Sequence, residues 1–258
     1  MAWPALQIPL RQPAFVTQAM QVVYPTRCLG CGTLVEGAGG LCPICWRDTP
    51  FIGGLTCDCC GVPLPGESDG AEYCDDCLSA DRSWQRGRAA LLYDGQARRL
   101  VMALKHGDRL DIAPVTARWM ARVAQPLLRP ETLIAPVPLH WTRMLKRRFN
   151  QAALLAEAVA RYTGHAYCPD LLQRGRATKS TKGQGRAARF AEMQGAFKLH
   201  PRRRHRLIGR PVLLVDDVMT TGATLNAAAA TCHAAGASDL SVLLLARADK
   251  SPYISSKS

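Results

Sequence analysis

The sequence predicts an α/β protein, in which helices flank a parallel sheet and a small cysteine-rich module precedes them. The apolar run Val212–Val215 has no polar alternation, which predicts a strand buried in a parallel sheet. An alanine-rich helix over Leu225–Ala235 follows it, and Gly236 ends that helix. Nine of the eleven cysteines lie between Cys28 and Cys77, so we expect them to form a module of their own.

The cysteine module contains four Cys-x2-Cys knuckles, which form two similar pairs. Ten residues separate the knuckles of the first pair and thirteen separate those of the second, as in an internal repeat of one unit. Each pair supplies four thiolates, the ligand set of a structural zinc site. The predicted ligands are Cys28, Cys31, Cys42 and Cys45 for one zinc ion, and Cys57, Cys60, Cys74 and Cys77 for the other.

The cysteine pattern also leaves alternatives open. A disulfide scaffold or a redox pair would use the same knuckles, although four copies at ribbon spacing favour zinc. The ligands could pair across the two repeats, and the extra thiol of Cys59 could replace a neighbour. Zinc binding would supply on the order of 10 kcal/mol to a segment with few large apolar residues.

The remaining elements follow from hydrophobic periodicity and helix-end signals. A short helix is predicted at Ala14–Tyr24, and a Gly-, Arg- and Lys-rich stretch predicts a long mobile loop over Arg174–Gly195. The other predicted strands are Arg88–Tyr93, Leu133–Val137 and Asp239–Ala246, and the other predicted helices are Gln96–His106, Val115–Leu127 and Gln151–Tyr162. We therefore expect a double zinc ribbon with an N-terminal helix at residues 1–80, an α/β domain at residues 81–250 and a tail at residues 251–258.

The net charge of +13 is concentrated in the middle of the chain. From Arg143 to Arg210 there are 17 Lys/Arg and 3 Asp/Glu, whereas the cysteine module is acidic. A polyanion should therefore meet the middle of the chain. No apolar run reaches the length of about 18 residues that a transmembrane helix requires. Prolines and Arg11 interrupt the region where a signal peptide would need an apolar core, so we expect a cytoplasmic protein.

Two carboxylates, Asp216 and Asp217, stand where the strand over Val212–Val215 is predicted to end. Ligands of open α/β sheets bind at the carboxyl ends of strands, where the N–H groups at a helix start favour an anion. The turn Thr220–Thr224 offers such N–H groups and three hydroxyls, which suit a phosphate. The two acids offer acceptors for a diol, directly or through a divalent ion. The stretch therefore predicts a site for a phosphorylated ribose.

The stretch Val212–Thr224 resembles the phosphoribosyl-pyrophosphate (PRPP) signature of type I phosphoribosyltransferases. The resemblance implies the fold of those enzymes, with a magnesium ion on the pyrophosphate. It implies that Asp216 and Asp217 are the catalytic acids and hold the ribose 2- and 3-hydroxyls. The implied ligands of the 5-phosphate are Thr220, Thr221, Gly222, Ala223 and Thr224.

Two further stretches resemble the ComF (competence protein F) family, a branch of the type I phosphoribosyltransferases. The first is Tyr93–Gly95 together with Leu104–Asp108. The second is a proline-rich strand end followed by Arg147–Gln151, in which Arg148 stands where the family has glycine.

Cations in these stretches are candidates for binding a pyrophosphate. A cationic loop between a strand end and a helix start suits that ligand, which makes Arg147 the first candidate, with Asn150 as the helix N-cap. A solvated basic face is the alternative for this loop. Lys105 could approach the pyrophosphate or simply cap the end of its helix.

Three functions are compatible with these features. The first is a phosphoribosyltransferase with an unidentified acceptor; Thr220 stands where purine-salvage relatives carry an aspartate, which argues against a hypoxanthine-type enzyme. The second is a non-enzymatic sensor of PRPP or of a nucleotide. The third follows from the ComF resemblance, which implies a cytoplasmic factor that works with the DNA-uptake machinery on single-stranded DNA during natural transformation.

Overall fold

The computed structural model describes residues 26–35, 40–106, 109–139, 149–176 and 185–249. The chain divides into two compact units, residues 1–47 and residues 48–258. The predicted helix over Ala14–Tyr24 and the predicted tail lie outside the described residues. The division of the sequence at residue 80 stays a prediction, because a compact unit in space and a domain in sequence need not share a boundary.

The second unit contains the predicted parallel sheet. Its described strands are β1 (Arg86–Leu92), β2 (Leu133–Pro136), β3 (Ala166–Tyr167), β4 (Leu172–Arg174), β5 (Phe197–Leu199), β6 (Pro211–Met219) and β7 (Asp239–Arg247). Five of them form one parallel sheet in the order β1-β7-β6-β2-β3, while β4 and β5 form a separate antiparallel pair. Residues Val212–Val215 of β6 are all buried, as the unbroken apolar run predicted.

Helices precede and follow the strands of this sheet. The described helices are α1 (Pro43–Arg47) in the first unit and, in the second, α2 (Asp75–Leu78), α3 (Gly95–His106), α4 (Ile112–Val123), α5 (Gln151–Thr163), α6 (Arg186–Met193), α7 (Arg204–Leu207) and α8 (Ala223–Ala234). The ends of α5 are those expected from the sequence. The Asn150 side chain accepts a hydrogen bond from the backbone N of Ala152 (3.1 Å), and Gly164 ends the helix with φ of 73°.

Among the elements that differ from the sequence-based prediction, two lie close to the predicted site residues. β6 continues past Val215 to Met219, because β7 pairs with it along this whole length, through Asp216 opposite Leu244 and Met219 opposite Arg247. The predicted mobile loop over Arg174–Gly195 also contains a helix, α6. This helix forms because Phe190 and Met193 pack into the buried cluster that includes α8, a tertiary contact that local composition does not reveal.

The segment that carries the second set of cysteines packs directly on β1. The backbone N of Gly87 donates to the carbonyl of Asp58 (2.7 Å), and the indole Nε1 of Trp84 donates to the carbonyl of Cys59 (2.7 Å). A Cβ at Gly87 would collide with that Cys59 carbonyl. The absence of a side chain at Gly87 therefore allows the knuckle and the strand to approach closely.

We predict that Gly87→Ala destabilises the protein, because the new methyl group meets backbone that cannot move aside. The expected loss is about 1–3 kcal/mol in the free energy of unfolding, measured by urea denaturation with zinc present. Gly53→Ala is the matched control, since its methyl group meets nothing within 4 Å. Equal stability of the two variants would show that the Cys59 carbonyl does not limit the space at Gly87.

Candidate functional site

The carboxyl end of β6 brings two acids and one cation together. The Nζ of Lys105, in the last turn of α3, lies 3.1 Å from Oδ1 of Asp217, and these side chains are 17% and 12% exposed. Asp216 is partly buried, and its Oδ1 accepts a hydrogen bond from the backbone N of Asp217 (2.8 Å). The structure thus places Lys105 on the predicted acidic pair, while its contact with a pyrophosphate stays a prediction.

The two acids differ in their electrostatic surroundings. Burial, and then the negative charge of Asp217, raises the pKa of Asp216 to about 7, although the charges of Lys105 and Arg174 oppose this. The Lys105 ammonium contacts only one of the two adjacent carboxylates. A ligand that donates hydroxyl protons, or that brings a cation, would satisfy the second acid.

The turn after β6 is short and leads straight into a helix. Thr220 is exposed, Thr221 is partly buried, and Gly222 has φ of 81°, a conformation that favours glycine. Ala223 and Thr224 form the start of α8, and the backbone N of Asn226 donates to the carbonyl of Gly222 (2.8 Å). The N–H groups that come before Asn226 in this first turn have no acceptor inside the helix, so they are available to an anion.

Two arginines that the sequence did not single out hold the carbonyls of this turn. Nη1 of Arg247 donates to the carbonyl of Thr220 (2.9 Å), and Nη1 of Arg82 donates to the carbonyl of Thr221 (2.8 Å). Arg247 is 3% exposed. The sequence could have drawn attention to Arg247, because it is a charged residue at the end of a predicted apolar strand. Arg82 lies in a connecting segment, where nothing in the sequence marks it.

The eight predicted zinc ligands form two separate clusters. The thiol sulfurs within each cluster lie within 4.8 Å of one another, as a single metal ion requires, and each cluster comes from one repeat. Pairing across the repeats is therefore excluded. Cys59 is outside both clusters.

The thiol chemistry of both clusters suits a structural metal ion. Backbone N–H groups of Gly30 and Cys42 donate to the Cys28 sulfur (3.4 and 3.2 Å), which is the usual way to stabilise a metal-bound thiolate. In the second cluster, hydrogen bonds from the thiols of Cys60, Cys74 and Cys77 hold the pKa of Cys57 well below its usual range. Four sulfurs leave no open coordination position, so the zinc is structural and not catalytic.

The remaining residues that the sequence singled out make other contacts or lie outside the described residues. Arg147 and Arg148 lie outside the described residues. The Asn150 side chain, besides capping α5, donates from Nδ2 to the carbonyl of Val137 (3.1 Å), which ties the helix start to the end of β2. Arg174 ends β4, and its guanidinium lies 5.5 Å from the ring centre of Phe197.

Comparisons with known proteins identify the class of protein. A family model described as "Double zinc ribbon domain" matches residues 19–78. Competence protein F of Haemophilus influenzae is 30% identical over 236 residues, which cover 89% of this chain and 100% of that protein. The DNA utilization protein YhgH of Salmonella typhimurium is 31% identical over 214 residues, 81% of this chain and 90% of that protein.

The chain has a parallel α/β domain and a double zinc ribbon, and it belongs to the ComF (competence protein F) family. This membership and the observed sheet confirm the predicted fold class, a type I phosphoribosyltransferase fold preceded by a small zinc-ribbon module.

Solved structures overlap the chain only in part. An allosteric regulatory enzyme of purine biosynthesis overlaps 56% of this chain and 30% of its own, with 20% identity and a TM-score of 0.38. A Trypanosoma cruzi hypoxanthine phosphoribosyl transferase overlaps 60% of this chain and 70% of its own, with 18% identity and a TM-score of 0.30. Within the described residues, no helix has the length and apolar character needed to cross a membrane.

We predict that Asp216→Asn stabilises the protein increasingly as the pH rises. The pKa of this carboxyl is higher in the folded state than in the unfolded chain, so the folded state holds the proton more tightly. Stability that depends on this proton is therefore present at low pH and is lost as the pH rises from about 4 to about 7. Asparagine has no such proton to lose. The free energy of unfolding of Asp216→Asn, relative to that of the wild type, should therefore rise by roughly 2–4 kcal/mol between pH 4 and pH 8.

The measurement is urea denaturation of both proteins across this pH range, with the exposed-site variant Asp69→Asn as control. A difference between Asp216→Asn and the wild type that stays constant from pH 4 to pH 8 would contradict a raised pKa.

Proposed function

We propose that the chain binds PRPP with magnesium at the carboxyl end of β6, as a phosphoribosyltransferase-like protein. The observation that carries this proposal is that partly buried Asp216 and buried Asp217 lie near the end of β6, which a three-residue turn connects to the start of α8. Acceptors for a diol and N–H donors for a phosphate then lie a few residues apart, at the end of a parallel strand where such ligands bind.

The proposed contacts follow from the chemistry of each group. Asp216 and Asp217 accept hydrogen bonds from the ribose 2- and 3-hydroxyls. The turn and first helical residues, Thr220 to Thr224, bind the 5-phosphate with backbone N–H groups and threonine hydroxyls. When the sugar reaches Asp217, the Lys105 ammonium can turn from that carboxylate to the pyrophosphate. Arg147, which precedes α5 in the sequence, would also bind the pyrophosphate.

The residues present also fit a magnesium ion. The observation that supports it is the pair of adjacent carboxylates, of which the Lys105 ammonium contacts only one, so that carboxylate oxygens remain as ligands for a metal cation. Bound magnesium would neutralise the pyrophosphate as its charge grows. The side chains named above would hold the sugar in place while the bond from C1 to the pyrophosphate breaks.

The proposed activity is transfer of the phosphoribosyl group to an acceptor that the described residues do not define. We place it in the cytoplasm, in the use of incoming single-stranded DNA. The names of the relatives, a competence protein and DNA utilization proteins, support a role in the use of DNA. A protein that binds PRPP as a sensor, without transfer, uses the same contacts.

We predict that Asp216→Asn combined with Asp217→Asn abolishes magnesium-dependent binding of PRPP. Each lost hydrogen bond to a charged group contributes about 1.5–3 kcal/mol, so affinity should fall by at least roughly 100-fold in isothermal titration calorimetry. Glu67→Gln combined with Asp69→Asn is the control, because it removes the same charge from exposed positions. Equal affinity in the wild type and the Asp216/Asp217 double variant would remove the sugar-phosphate assignment.

A second assay separates the enzyme from the sensor. The zinc-loaded protein is incubated with PRPP, magnesium and a panel of bases, and release of pyrophosphate is followed. Release with one base indicates a transferase, whereas tight binding without release with any base indicates a sensor.

Direct binding of single-stranded DNA is a second candidate function, favoured by exposed cations between β5 and β6. Arg202 and Arg204 are exposed, and no acidic side chain of the described residues pairs with them. Arg203 differs, because its Nε donates to both carboxylate oxygens of Asp170 (2.9 and 3.0 Å). Two free guanidiniums on one short segment can contact a phosphate backbone.

We predict that Arg202→Gln combined with Arg204→Gln weakens binding of an unstructured oligonucleotide and reduces its salt dependence. Losing two phosphate contacts should lower the slope of log affinity against log salt by about 1.4. Arg98→Gln combined with Arg99→Gln is the control, since it removes two exposed arginines of α3 and the same charge. A wild-type affinity that does not change with salt would count against the DNA proposal.

A further inference from the structure

The carbonyl groups of the turn after β6 are held from one side by guanidiniums. Arg247 binds the carbonyl of Thr220 and Arg82 binds the carbonyl of Thr221, at 2.9 and 2.8 Å. In a trans peptide unit the C=O and the next N–H point in opposite directions. Fixing these two carbonyls therefore also fixes the direction of the N–H groups of Thr221 and Gly222, on the opposite side of the turn.

The two guanidiniums retain unused hydrogen-bonding capacity. Nε of Arg247 and both Nε and Nη2 of Arg82 are buried and have no hydrogen-bond partner. No carboxylate of the described residues forms an ion pair with either arginine. Arg82 is half-buried and Arg247 is buried, and the charges that act on them come from the thiols of Cys59 and Cys60. A phosphate on the far side of the turn would add a further counter-charge for both guanidiniums.

Arg82 is itself held by the second zinc ribbon, the segment that carries the cluster of Cys57, Cys60, Cys74 and Cys77. Its guanidinium lies 5.1 Å from the ring centre of Trp84, a residue that is 2% exposed. The indole of Trp84 donates to the carbonyl of Cys59, which lies between the predicted zinc ligands Cys57 and Cys60. A chain of direct contacts thus runs from the zinc knuckle through Trp84 and Arg82 to the turn.

Gly222 shows how closely these groups approach the turn. A Cβ at this position would lie 2.5 Å from Nη1 of Arg82 and 3.1 Å from the ring of Trp84. The next residue of the segment, Ser83, donates its backbone N to the Asn226 side chain in the first turn of α8 (2.9 Å). The segment Arg82–Trp84 therefore contacts the turn and the helix start together.

We propose that Arg82 and Arg247 are positioning residues that orient the N–H groups of Thr221 and Gly222 for an anion, and that the second zinc ribbon holds Arg82 in place for this role. The identity of the anion as the 5-phosphate of PRPP rests on the proposed function. The orientation of the turn does not, because it depends on contacts within the protein.

The test measures the order of the turn in the zinc-loaded protein without ligand, by backbone ¹⁵N relaxation at Thr221 and Gly222. We expect order parameters of about 0.85 in the wild type and below about 0.6 in Arg82→Gln and in Arg247→Gln. Arg82→Lys, which keeps a charged donor, should give an intermediate value. Arg99→Gln, at an exposed site, should match the wild type.

Variants of the cysteines test the connection to zinc. Cys74→Ser, in the second cluster, should lower the order parameters of the turn, whereas Cys42→Ser, in the first cluster, should leave them unchanged; bound zinc is counted in both. If Cys74→Ser does not fold, Trp84→Phe serves instead, because it keeps an aromatic ring but loses the Nε1–H that donates to the Cys59 carbonyl. Wild-type order in Arg82→Gln would overturn the positioning role, and wild-type order in Cys74→Ser or Trp84→Phe would overturn the role of the ribbon.

Titration with PRPP and magnesium completes the design. Arg82→Gln should bind at least roughly tenfold more weakly than the wild type, which corresponds to one lost hydrogen bond of the turn. If the wild type binds no PRPP but the variants still disorder the turn, the proposed function fails and the positioning role stands. If the variants bind as tightly as the wild type and keep an ordered turn, the positioning role fails alone.

Discussion

The pairing of β6 with β7 is the constraint on which the candidate site depends. Because this parallel pairing continues to the end of both strands, it carries Asp216 and Asp217 in extended backbone and sets Met219 opposite Arg247. The register therefore delivers a buried guanidinium to the carbonyl of Thr220. A shorter pairing would leave the turn without this support, and the two acids would lie in a flexible segment.

The second zinc ribbon and the residues just before it contact the edge of the sheet as well as the segment that reaches the turn. β1 is an edge strand, and backbone hydrogen bonds from Ile52 to Ala90 and from Leu92 to Pro50 cover part of its open side. Gly87 and Trp84 then bring the knuckle around Cys59 into direct contact with the same strand and its approach. A structural metal ion in this position protects the edge and also fixes the segment that reaches the turn.

Local sequence signals predicted much of this architecture. The apolar run of β6, the caps Asn150 and Gly164 of α5, and both cysteine clusters are confirmed, since each depends on residues close together in the sequence. The extension of β6, helix α6 and the roles of Arg82 and Arg247 were not predicted, because each depends on a partner distant in the sequence. The signature acids and threonines predicted where a ligand would bind, but not what orients the turn.

The most direct test of the account is a crystal structure of the zinc-loaded protein soaked with PRPP and magnesium. We expect the ribose hydroxyls to bind Asp216 and Asp217, the 5-phosphate to bind the N–H groups from Thr220 to Thr224, and the Lys105 ammonium to turn toward the pyrophosphate. A turn without phosphate, with Lys105 still paired to Asp217 at full ligand concentration, would contradict this expectation.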